Sequence, residues 1–184
     1  MSASRSYRPF PILALASMAI LGLTACGDDD AVAATDGADG PPPIEVTMVD
    51  FDYPDLPASI PAGTQLTVTN DAEEELHEVV AFRLPDDETR SVDELAELPP
   101  PELVAALGEP QTVLLAPPGG EMIPAVGDGV LRQPGRYGIF CFIPAGVDPQ
   151  VYLAAAAETE EGPPQVEGGA PHFVLGMRAE LMVE

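Results

Sequence analysis

Arg132–Gly146 reads RQPGRYGIFCFIPAG, and how this stretch is read decides the fold. Pro134-Gly135 marks a turn, since proline presets φ and glycine accepts conformations that other residues avoid. Beyond it, Tyr137, Ile139, Cys141 and Ile143 alternate with Gly138, Phe140 and Phe142. Successive side chains of a strand point to opposite faces, so this strand is apolar on both. Such a strand belongs in the middle of a sheet, with cover above and below.

The same texture recurs outward from it. Ile44–Tyr53 (IEVTMVDFDY) alternates at short period and reads as a strand. Pro61-Ala62-Gly63 turns into a second alternating strand, Gln65–Thr69, which Asn70 and Asp71 end. Leu76–Leu84 is a further strand, residues 111–120 a strand and turn, residues 121–135 a loop with room for one more strand, and Arg178–Val183 the terminal strand. Residues 85–110 differ and hold two short helices. Ser91 or Thr89 caps the first, Pro99–Pro101 break it, and the second runs to Leu107 before Gly108. Another short helix is expected over residues 149–161, followed by a turn-rich connector to Pro171. Short strands between Gly/Pro turns predict an all-β sandwich, with the helical segment 85–110 lying over a sheet edge.

The start of the chain has a different purpose. Arg5 and Arg8 precede an uncharged, apolar or small-residue run, Phe10–Leu23. It falls short of the ~20 residues a helix needs to span a bilayer, and the layout is that of an export signal over residues 1–25. Leu23-Thr24-Ala25-Cys26 resembles the lipobox of bacterial lipoproteins. The resemblance implies cleavage before Cys26 and a lipid thioether on its sulfur, carrying palmitate-type acyl chains that anchor through about 0.8 kcal/mol per buried methylene. Residues 26–43, small, acidic and proline-ended, read as a flexible linker, and residues 44–184 as the folded domain. The expected location is the extracytoplasmic face of a bacterial cell membrane.

The chain has 31 acidic residues against seven basic ones, for a formal charge of −24. Nucleic acid is excluded as a partner on that balance. Of the two cysteines, Cys26 and Cys141, a lipidated Cys26 leaves Cys141 without an intramolecular partner. A buried inert thiol, an intermolecular bond and a metal ligand all remain open for it.

The chain has only two histidines, His77 and His172, and Met177 follows the second in HFVLGM. Two imidazoles, a thiolate and a thioether are the donor set of a blue-copper site. The layout resembles the cupredoxins, small copper-binding β-sandwiches of the plastocyanin type. Pro61-Ala62-Gly63 and then Val68-Thr69-Asn70 resemble the family's turn and strand before its first ligand histidine, here His77. Gly135-x-Tyr137 leads to Cys141 as the family's cysteine strand does, and His172 with Met177 five residues on matches its closing motif. The resemblance covers roughly residues 44–83 and 130–183. It implies a cupredoxin-like Greek-key β-sandwich and one copper ion held by His77, Cys141, His172 and Met177.

The sequence departs from the family at one place. Thirty residues separate Cys141 from His172, where the family has a tight loop. Closure entropy grows only logarithmically with loop length, so the site can survive, with looser ligation as the expected consequence. The leading expectation is a membrane-anchored copper protein exchanging one electron with a redox partner. A copper chaperone or scavenger trading ions with a donor or acceptor, and a metal-free binding or structural module, are the alternatives. No paired-carboxylate or nucleophile motif points to an enzyme. Two histidines are also too few for a multicopper oxidase.

Overall fold

The computed structural model describes residues 40–159 and 162–184. The expected signal segment, the lipid site at Cys26 and the linker through residue 39 lie outside these residues. Among the described residues, no helix is long and apolar enough to cross a membrane.

Among the described residues, nine strands form two sheets. The smaller has the order β1 (Ile44–Met48), β3 (Thr64–Asn70), β7 (Val130–Leu131). The larger runs β2 (Ser59–Ile60), β9 (Arg178–Val183), β8 (Gly135–Phe140), β4 (His77–Arg83), β5 (Thr112–Ala116), β6 (Ile123–Val126). Both are mixed: β1 with β3 and β2 with β9 pair parallel, and the other pairs are antiparallel. The terminal strand falls where the alternation of RAELMV places it. Residues 121–135 hold two short strands rather than one.

Period-two alternation explains how the layers stack. Val46, Met48, Leu66 and Val68 from the small sheet share one core with Val79, Ala81, Leu114, Tyr137, Ile139 and Leu181 from the large sheet. The intervening residues Val80, Phe82 and Phe140 point the other way. That outer face is covered by α1 (Val92–Ala96) and α2 (Pro100–Leu107) through Val92, Leu95, Leu103 and Leu107. The helical insertion therefore lies over the outer face of the central strands β4 and β8, not over an edge. Apolar residues on the second face of those strands require that cover. Ser91 starts α1 with a capping box, its hydroxyl accepting from the Glu94 N–H while the Glu94 carboxylate accepts from the Ser91 N–H. Pro99 then lies between the two helices and Pro100 opens the second, where the missing proline N–H costs nothing.

One glycine sets how closely the turn before β7 approaches β3. Gly129 has φ +80° and accepts the Leu66 N–H at 2.9 Å. A Cβ there would sit 2.7 Å from the Leu66 carbonyl oxygen, so no larger residue fits without separating β3 from this turn.

Candidate metal centre

The topology brings the sequence-predicted residues to one end of the large sheet. β4 and β8 are antiparallel with Val80 opposite Phe140, so the first residue of β4, His77, meets the residue just past β8, Cys141. β9 pairs with β8 starting at Arg178 opposite Phe140, which puts the preceding HFVLGM segment at the same end. His172 opens a single helical turn, α4 (His172–Leu175), that Gly176 closes at φ +126°.

His77, Cys141 and His172 each offer a donor atom, and these atoms lie within 4.8 Å of one another. The two Nδ1 atoms are 3.0 Å apart, and Cys141 Sγ is 3.3 Å from His172 Nδ1. All three side chains are fully buried. Met177 is fully buried in the same core, its carbonyl accepting from the Cys141 N–H at 3.2 Å and its N–H donating to the His172 carbonyl at 2.9 Å. Three of the four expected residues thus converge through their donor atoms, and the fourth is tied to two of them by backbone.

The tautomers test whether a cation fits. Two Nδ1 atoms facing at 3.0 Å cannot both present lone pairs, so without a cation one must carry the proton. That ring's Nε2 is then an acceptor. Yet His172 Nε2 faces Glu75 at 3.4 Å, His77 Nε2 faces Asp50 at 3.8 Å, and both nitrogens are buried with no hydrogen-bond partner. A cation between the Nδ1 atoms removes the conflict, because both protons move to Nε2 and point at carboxylates. The donor set fits a soft metal ion.

Burial drives the local electrostatics. It lowers His77 to about 4, aided by His172 and opposed by Asp50. His172 is lowered too, again chiefly by burial, with Glu75 and Asp50 pulling the other way. Both imidazoles are neutral at pH 7 and able to ligate. Burial pushes the Cys141 thiol well above its usual value, and the nearby Glu78 carboxyl adds to this. A bound cation would reverse that preference and favour the thiolate. Glu78 itself is pushed up to about 7 by burial, opposed by the Phe142 N–H that it accepts at 3.0 Å.

The thirty-residue excursion is closed at its neck. Backbone bonds join Phe173 N–H to the Cys141 carbonyl, His172 N–H to that of Ile143, Ala145 N–H to that of Ala170, and Gly169 N–H to that of Ala145, all at 2.8–3.0 Å. The chain leaves and returns as an antiparallel pair, and these bonds tie the ligand-bearing ends together. Beyond the neck, the helix expected from residue 149 is α3 (Pro149–Glu158), capped by Asp148. The long excursion between Cys141 and His172 is thus closed by backbone bonds at its base.

Glu75 adds a side-chain clamp that spacing does not reveal. Its carboxylate accepts the Gly146 N–H at 3.1 Å on the outgoing limb and faces His172 on the returning one. Phe51 was also not anticipated. It sits in a tight turn closed by Val49 and Asp52, with φ +63°, and packs edge-on to His172 at 5.0 Å between ring centroids. A phenylalanine in the left-handed region is strained, and here that conformation presents its ring to the imidazoles. The DFDY run carries no motif for such a turn, so only the folded contacts identify it.

Asn70 holds the segment that delivers His77. Its amide donates to the Glu75 and Ala116 carbonyls, both at 2.8 Å, and accepts the Ala72 N–H at 2.9 Å. Asn70→Ala is expected to destabilise the chain by about 2 kcal/mol, since buried partners lose their bonds. Urea denaturation checks this; a change within experimental error would mean the segment holds itself.

Two packed sheets carrying a buried His–Cys–His cluster at one end make this a cupredoxin-like domain. No protein-family model and no curated protein sequence matches the chain. Among solved structures it is similar to Na-dithionite-reduced auracyanin from the photosynthetic bacterium Roseiflexus castenholzii, with TM-score 0.44 and 22% identity over 79% of this chain and 98% of that one. It is also similar to auracyanin B, with TM-score 0.38 and 17% identity over 80% and 92%. The class rests on the sheets and the cluster themselves.

Proposed function

We propose that this chain is a membrane-anchored, extracytoplasmic copper protein that transfers single electrons through one mononuclear site. The observation that carries the reading is the convergence of three buried donor atoms of the copper-binding type within 4.8 Å. His77, Cys141 and His172 would hold the ion, with Met177 as the weak axial ligand. When bound, copper would supply one-electron exchange between Cu(II) and Cu(I). The chain's own part is to hold the donors still and dry. The neck fixes the Cys141 and His172 backbones, Phe51 packs edge-on against both imidazoles, and Glu75 and Asp50 would orient the ring protons. Lipid on Cys26 and the linker 26–43 would keep the domain at the membrane surface, within reach of a redox partner.

Two other readings use the same residues. A chaperone or scavenger would have to release its ion, and full burial with a closed neck disfavours that. A nucleophilic role has some geometric support, since Cys141 Sγ, His172 and Glu75 form a chain of contacts at 3.3 and 3.4 Å. Against it, burial holds the thiol protonated, and His77 occupies the same His172 nitrogen.

Copper titration of the full chain with Cys141 reduced tests the proposal. It is expected to saturate at one ion per chain and to give intense thiolate-to-copper absorption near the red end of the visible. Saturation without that band would defeat the electron-transfer reading. Rapid loss of the ion to a chelator, with slow electron self-exchange, would favour the scavenger. Mass spectrometry of the N-terminal peptide tests the anchor: an unmodified Cys26 would remove it.

A further inference from the structure

The two segments that a plain sandwich does not need, α2 and α3, wall one cavity. It has a volume of about 460 Å³ and lies on the outer side of the large sheet. That size suits a small organic ligand. Phe82, Leu107, Leu115 and Phe142 line it, together with two polar groups, Glu78 and Tyr152. Glu78 is only 4% exposed and Tyr152 only 3%. One Glu78 oxygen accepts the Phe142 N–H, while among the described residues the other has no hydrogen-bond partner, nor has the Tyr152 hydroxyl. Among the described residues the side-chain polar atoms that are both sealed from solvent and unpaired are the two histidine Nε2 atoms, so this carboxyl oxygen and this hydroxyl open onto the cavity, where a ligand that pairs with both can replace water in an otherwise apolar site.

We propose that this cavity binds a neutral phenol-type molecule, its ring among Phe82, Leu107, Leu115 and Phe142 and its hydroxyl donating to Glu78 and accepting from Tyr152. The polar pair selects the headgroup. An anionic group would face the Glu78 carboxyl, and an ammonium would lose its hydration among apolar walls. A hydroxyl both donates and accepts at a smaller desolvation cost. The walls select the body, since two phenylalanine rings favour an aromatic ring that can pack edge to face with them. The site goes beyond the copper reading and stands without it, although Glu78 follows His77 and Phe142 follows Cys141 in the chain.

The test is a titration at pH 8 of the full chain in detergent micelles with 4-propylphenol and with 4-propylanisole, which has the same body but no donor. Equilibrium dialysis sets the free concentrations, and the amide NMR shifts of Val80, Leu115, Phe142 and Tyr152 are the readout. The phenol is expected to give saturable shifts at these amides and the anisole to bind at least about tenfold more weakly, the loss of about one buried hydrogen bond. Ala156→Phe, which fills the cavity from α3, is expected to weaken the phenol by a similar factor. Absence of saturable shifts in the wild-type chain, equal affinity for the two probes, or undiminished phenol binding in a folded Ala156→Phe chain would each overturn the proposal. The probe comparison uses only wild-type protein, so it decides even if that variant fails to fold. Copper loading is not read, so failure here leaves the copper proposal standing, and the reverse holds too.

Discussion

Replacing Cys141 with serine is expected to abolish the red-end absorption of the copper-loaded chain and to weaken copper binding by at least about a hundredfold, more than loss of an outer contact costs. The band belongs to the thiolate, and no other described cysteine can replace it. A serine hydroxyl has nearly the same shape but is a hard donor and stays protonated at neutral pH, so it cannot give the ion a soft anionic ligand. The Cys141 backbone should stay in place, because its N–H is bonded to the Met177 carbonyl and its carbonyl accepts from Phe173. Circular dichroism would verify that, and visible spectroscopy with competitive copper titration would measure the effect. A serine variant that kept the band, or bound copper as tightly as the wild type, would show that the ion sits elsewhere.

A comparable loss is expected from a residue that touches no ligand. A Cβ on Gly168 would meet Val147 Cγ2 at 2.6 Å and Pro144 Cβ at 2.7 Å, so Gly168→Val should wedge the neck open. Overpacking of this kind costs about 1–3 kcal/mol, which corresponds to roughly 5–150-fold in copper affinity if the strain falls on the loaded state. The returning limb would suffer first, because Gly169 and Ala170 bond Ala145 and the next residues are Pro171 and His172. The complementary variant replaces residues 149–166 with a short flexible link and should hold copper nearly as well as the wild type. Its neck bonds remain, and closure entropy changes little with loop length. The reverse result, a silent Gly168→Val and a damaged shortened loop, would mean that α3 and not the neck holds the site together.

Much of the sheet architecture could be read from periodicity. The apolar-on-both-faces run Tyr137–Ile143 requires a central strand, and β8 lies between β9 and β4. Ser91, Pro99 and Gly108 carried enough local chemistry to bound two helices within a residue or two. Where those helices dock was not legible, because the outward set Val80, Phe82 and Phe140 is split between strands far apart in sequence and becomes one face only when they pair. The site divides the same way. Residue type and spacing marked His77, Cys141, His172 and Met177, since few side chains offer nitrogen or sulfur to a metal. Glu75, Asp50 and Phe51 carry no such mark. A carboxylate or a ring acquires its role from what stands opposite it.

The stretch Arg132–Gly146, which contains β8, shows the boundary most directly. Alternation and composition by themselves determined that it is a buried central strand ending in a thiol, because side-chain period and burial are local properties of the chain. Whether that thiol meets two imidazoles thirty or more residues away could only be decided by tertiary structure. Loop length states how much chain lies between two residues, whereas their separation in space depends on backbone hydrogen bonds formed after folding. Those bonds at the neck close the excursion and put Cys141 beside His172.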